Sequence, residues 1–195
     1  MKQTTILKSG ISVMLKMIMV MVMSLIVTLS LLMLLGKVPI IATSLSQLCC
    51  IMFFAAIPYT YVWEIGSTDK NKVNYGREDE DMLKGFKIGL IGAIPGILSA
   101  LLMIFFRILG RGAFSQYVFV LINAQFLPTF LKVLPFGHTF VNFSLIRIFL
   151  CALLPMVLPL VTWVGYILGY RRISLVDKFI YKGAPRKRKM KRKKR

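Results

Sequence analysis

Five intervals of this chain carry no charged residue: 17–36, 38–63, 88–106, 112–131 and 148–170. Twenty residues of helix rise ~30 Å, the thickness of a hydrocarbon core. Four intervals predict spanning helices, over about 17–36, 46–63, 88–106 and 148–170. The first could be the apolar region of a secretory signal, but such regions are shorter and need a small-x-small cleavage site. Ala42-Thr43-Ser44 lies too far beyond the apolar run, so an uncleaved helix is expected. Lys37 and Pro39 mark a turn. Pro58 is expected to kink the second helix, which Tyr59, Tyr61 and Trp63 close as an interfacial aromatic belt.

Small residues recur at spacings of three and four around the third helix: Gly85, Gly89, Gly92, Ala93, Gly96 and Ala100. Such a ridge lets helix backbones approach closely, so Gly89, Gly92, Gly96 and Ala100 are expected to form the packing centre of the bundle. The competing reading is that they line a path for a substrate. Gly165 and Gly169 offer a second contact of this kind on the last helix, where Pro155 and Pro159 should bend the chain. Residues 64–87 hold six of the seven carboxylates together with Gly66, Ser67, Asn71, Asn74 and Gly76, and read as a loop.

Charge then sets the topology. Of 26 Lys and Arg, half lie beyond Tyr170, and nine of the last ten residues are basic. With a net charge of +19 and 57% hydrophobic residues, the chain reads as a polytopic membrane protein. The N-terminal lead, the 64–87 loop and the tail are all basic enough to be placed in the cytoplasm. That demands an even number of crossings. The expected fold is an all-α, four-helix transmembrane bundle over 1–170, with both termini cytoplasmic in a bacterial plasma membrane. Residues 112–131, which contain Gln116, Asn123, Gln125 and Pro128, are left as an interfacial or re-entrant segment on the outer side. Residues 171–183 follow, with Ser174 and Asp177 in a capping-box spacing and Ile173, Val176, Phe179 and Ile180 on one face. They predict an amphipathic helix in the headgroup plane. A disordered basic tail, 184–195, ends the chain.

Motifs for chemistry are sparse. There is no Gly-x-Ser-x-Gly, no His-Glu-x-x-His and no phosphate-binding Gly-rich loop. No catalytic residue, cofactor or metal is expected. His138 is the single histidine, in a Pro-Phe-Gly-His turn without a carboxylate near in sequence. Met19, Met21 and Met23 read as apolar filler, and Cys49, Cys50 and Cys151 as reduced thiols in apolar surroundings. Glu78, Asp79, Glu80 and Asp81, with Asp69 and Asn71, resemble hard-cation ligands. An EF-hand frame from Asp69 fails, because its sixth position is Asn74. Pairing of these acids with nearby bases is the expectation.

The functional reading is a non-catalytic integral membrane scaffold or accessory protein. Its basic residues Arg171, Arg172, Lys178, Lys182, Arg186, Lys187, Arg188, Lys189, Lys191, Arg192, Lys193, Lys194 and Arg195 would bind anionic lipid headgroups or ribosomal RNA. Expected partners are membrane lipids, with a ribosome or a larger membrane complex beyond them. Without interleaved aromatics the tail is not expected to read nucleic-acid sequence. The alternative is a membrane-embedded subunit of a transporter or a small channel, which the proline-broken last helix favours.

Overall fold

Residues 17–34 of the first apolar interval lie inside α1, Lys2–Leu34. This helix starts well before residue 17, because residues 2–16 contain no proline and Gly10 is used for packing. A Cβ built on Gly10 would overlap the Ile91 side chain of the third long helix. The computed structural model describes residues 2–35, 37–77, 79–109, 113–133 and 145–173. Among these, every element is helical, and four helices are long and apolar enough to cross a membrane. They mark the chain as an integral membrane protein.

The second helix corrects the sequence reading at both ends. α2 runs Pro39–Asn74, whereas about 46–63 was expected. It begins at Pro39 because proline at the first helical position has no N–H to lose and a preset φ. It also continues ~16 Å past Trp63, through residues expected to be loop. Its buried positions explain why: Ala42, Ser46, Cys50, Phe54, Pro58, Val62, Gly66 and Asp69 form one ridge at a spacing of four, closing with a step of three. Gly66 belongs to that ridge, against the backbone of the last helix, and so acts as a packing residue and not as a breaker. The helix stops where Gly76 turns left-handed, at φ 67°. The amides of Gly76 and Arg77 return to the carbonyls of Val73 and Lys72, the pairing of a Schellman end.

α3 spans Lys84–Ile108. Two short helices follow, α4 at Ala113–Ile122 and α5 at Leu127–Val133, joined by a 3₁₀ turn, Ala124–Phe126. At ten residues, α4 covers only ~15 Å and cannot cross alone. The final span, Ile148–Tyr170, is built from α6 (Leu145–Leu153), a 3₁₀ turn at Leu154–Met156 and α7 (Val157–Tyr170). Pro155 sits in the break itself, whereas Pro159 falls in the first turn of α7, where the missing N–H costs no helical hydrogen bond.

The long helices form a ring in the order α1, α2, α7, α3. Ser9 of α1, Asp69 of α2, Lys84 of α3 and Tyr166 of α7 lie at one end, so the start of α1 and the finish of α7 share a side. The seam between helices is lined largely by Gly, Ala, Ser, Thr and Cys. The outward faces carry exposed Leu29, Leu48, Leu98, Leu101 and Phe105. Small residues at the helix seams, beside buried Phe54, Ile88 and Tyr166, and large apolar residues on the outward faces suit a solvent of hydrocarbon, where close backbone approach drives helix association.

Candidate functional site

At the charged end, three helices bring a buried ion pair together. Asp69 and Lys84 are each 3% exposed. Lys84 Nζ lies 2.7 Å from Asp69 Oδ2, and Tyr166 donates its hydroxyl to the same oxygen at 3.1 Å. Lys72 Nζ reaches Asp69 Oδ1 at 3.4 Å. Two buried charges gain little net stability from each other, but removing one takes from the other its closest counter-charge. The cluster therefore fixes how α2, α3 and α7 meet more than how strongly. A cavity of about 270 Å³ opens beside it, lined by Ser9, Tyr61, Glu64, Thr68 and Asp69 among others.

Two of the described acids at this end, Asp69 and Asp81, pair with bases. Besides Asp69, Asp81 accepts Lys87 Nζ at 3.0 Å and the amide of Leu83 at 3.1 Å, which holds the entry to α3. Among the described residues, no three His, Cys, Asp or Glu side chains converge as metal ligands. Asp69, offered by the sequence as a cation ligand, faces the Lys84 ammonium.

Aromatic residues tie this end to the chain leaving it. Trp163 Nε1 donates to Met82 O at 3.2 Å, and Trp63 Nε1 donates to Ile173 O at 2.9 Å. Lys16 sits 4.8 Å above the Tyr61 ring and Lys70 4.5 Å above Tyr170, a favourable placement of a cation on a π face. Of the predicted basic site, Arg171 and Arg172 are exposed here. Arg172 takes a left-handed φ of 55° and donates to Asn71 Oδ1. Lys178, Lys182 and the bases from Arg186 to Arg195 lie outside the described residues, as do residues 174–183 of the expected amphipathic helix, His138 and Glu78.

The predicted packing glycines divide between two duties. Gly165 and Gly169 press α7 onto α2: a Cβ on Gly165 would sit 3.1 Å from Tyr59 O, and one on Gly169 2.8 Å from the Trp63 carbonyl carbon. Gly89 meets α7 in the same way, 2.7 Å from Pro159 Cα. The α3 ridge is thus a packing surface at Gly85 and Gly89. Ala100, farther along, is buried. Gly92 faces Val13 of α1. Gly96 meets the α4–α5 hairpin: a Cβ there would lie 3.0 Å from both Asn123 Oδ1 and Pro155 Cβ.

That hairpin tip sits halfway along α3 and is pinned on two sides. Asn123 Nδ2 donates to Ser99 Oγ at 3.2 Å and to Phe119 O at 3.0 Å. Gln47 of α2 accepts from Thr129 N and Oγ1, at 3.1 and 2.7 Å. The Phe54 and Phe126 rings meet at a tilt of 58°, with 5.2 Å between their centres. Beneath the tip is a cavity of about 350 Å³, walled by Met14, Met17 and Met21 of α1 and by Gly92 and Gly96 of α3. Pro155, at the break in the last span, closes one side. Its polar lining comes from Asn123 and Gln125, and Gln125 Oε1, fully buried, accepts no hydrogen bond among the described residues. A buried acceptor without a donor costs about 1–3 kcal/mol.

Sequence reasoning missed the Asp69–Lys84 pair and the cavity. A signal for the first was present: the ridge of four-residue steps from Ala42 through Gly66 points on to position 69 or 70. For the second, Met14, Met17 and Met21 share a helix face, whereas Met19 and Met23 point out. Compared with protein-family models, curated proteins and solved structures, the chain matches none.

Proposed function

We propose that this protein is a multi-pass accessory protein of a bacterial plasma membrane, with both termini cytoplasmic and a basic C-terminal tail that binds anionic lipid headgroups. The observation that carries this reading is the bond from Trp63 to Ile173. It ties the root of the tail to α2 at the charged end, beside Arg171 and Arg172. Bases that start at the membrane surface meet lipid phosphate at high local concentration. Each contributes on the order of 1 kcal/mol before screening. In this reading α4 and α5 are a re-entrant hairpin entering from the outer side.

Deletion of residues 186–195 tests it. Full-length and truncated protein, in neutral nanodiscs, are sedimented with anionic vesicles and with ribosomes at two salt concentrations. Vesicle binding should fall at least tenfold on truncation and drop steeply with salt. Binding to ribosomes alone would assign the tail to RNA. Equal binding by both forms would leave the tail a topology signal.

A second reading, a membrane-embedded subunit of a transporter, is favoured by the cavity where the broken span meets the hairpin tip. Discontinuous helices at the midplane are where transporters hold their substrates.

A further inference from the structure

The last helix stops without the residue that usually stops one. Between Arg171 and Lys182 the chain has neither glycine nor proline. Yet α7 ends at Tyr170 in a Schellman turn: Ile173 N returns to Leu168 O and Arg172 N to Gly169 O, both at 2.9 Å. That turn needs a left-handed residue just past the cap, a place glycine normally takes. At the end of α2 it belongs to Gly76, but here it belongs to Arg172, at φ 55°.

Two bonds from α2 hold the strained residue and its neighbour. Asn71 Oδ1 accepts from the Arg172 guanidinium, and Trp63 Nε1 donates to Ile173 O at 2.9 Å. A left-handed arginine costs about what one or two such bonds return, so the turn at Arg172 and a continuous helix lie close in free energy. Asn71, Arg171 and Arg172 are all exposed, which leaves the guanidinium open to a competing acceptor. A lipid phosphate offers it negative charge and two oxygens, where Asn71 offers one neutral oxygen. The chain beyond the turn is ready to join α7, because Ile173, Val176, Phe179 and Ile180 share one helical face.

We propose that Arg172 is a latch at the root of the basic tail. In a neutral membrane Asn71 and Trp63 hold the left-handed turn, and the chain leaves the line of α7. When the tail engages an anionic surface, lipid phosphate takes the guanidinium from Asn71. Arg172 then turns right-handed, and α7 and the amphipathic segment become one helix. The trigger rests on the proposed lipid binding by the tail. The variant Asn71→Ala tests the latch without anionic lipid, so failure of the latch and failure of that reading are distinguishable.

The amides of Ser174, Leu175 and Val176 report the switch. In a helix that starts at Ser174 they have no intrahelical partner, whereas in a continuous helix they bond to the carbonyls four residues back. Their hydrogen exchange is measured on the full-length protein in neutral and in anionic nanodiscs. Anionic lipid should slow it at least tenfold. Asn71→Ala should slow it about fivefold in neutral nanodiscs, the effect of losing one charged hydrogen bond. Arg172→Gly favours the left-handed turn and keeps the bases from Lys178 onward. It should still bind anionic vesicles but lose most of the slowing. Equal slowing in Arg172→Gly and the native protein would overturn the proposal, since burial among headgroups would then account for the protection. Native-like exchange of Asn71→Ala in neutral nanodiscs would also overturn it. Vesicle binding by the native protein without any slowing would overturn the latch and leave the tail reading standing.

Discussion

Gly169 has no room for a side chain, because the backbone of Trp63 already occupies the place where its Cβ would go. Gly76 has open space around it, but its φ of 67° disfavours any Cβ. The two glycines therefore fail for different reasons when replaced. Gly169→Ala should destabilise by about 3 kcal/mol, since a backbone has to move. Gly76→Ala should cost about 1 kcal/mol, the price of a left-handed alanine. Melting in mild detergent checks both, and equal losses would mean that α2 and α7 are not in close contact. Asp69 and Lys84 make a different case. Asp69→Leu should cost roughly 3 kcal/mol by taking from the buried Lys84 ammonium the carboxylate that lies closest to it, and adding Lys84→Met should recover much of that loss. Additive losses in the double variant would mean that the two do not act as a pair.

At the scale of elements, the spans were legible because charge is absent from them, and a charge in hydrocarbon is expensive. Helix ends were less legible. Gly66 and Asn71 read as loop residues by local propensity, yet α2 holds them because α7 packs against Gly66 and Asp69 finds Tyr166, ninety-seven residues away. Nothing in the local sequence announces a partner that distant. Local sequence does not choose between an interfacial and a re-entrant hairpin for the same reason: its tip is fixed by Ser99 and Gln47, far from it in sequence. Its membrane course can be settled by labelling. Single cysteines at Leu109 and Ile146, both exposed and flanking the segment, should react with an impermeant maleimide from one side. A cysteine at Tyr75, exposed by the charged loop, should react from the other. The background lacks Cys49, Cys50 and Cys151. Opposite sides for Leu109 and Ile146 would mean a fifth crossing and a tail outside the cell.

The whole molecule is polarised. One end gathers the ion pair, both tryptophans and the exit of the chain, while the middle holds a nearly apolar hollow. The even number of long spans inferred from positive charge agrees with a ring whose first and last helices share that end. This polarity has an optical consequence. The chain has two tryptophans, and Trp163→Phe leaves Trp63 as the sole strong emitter, its indole bonded to the residue from which the tail departs. Its fluorescence then reports on that junction without an added dye. Anionic lipid titrated into nanodiscs should shift the emission of the full-length Trp163→Phe protein and leave that of the form ending at residue 185 unchanged. A shift of equal size in both would place the lipid contact at the retained bases, Arg171, Arg172, Lys178 and Lys182, upstream of the deleted ones.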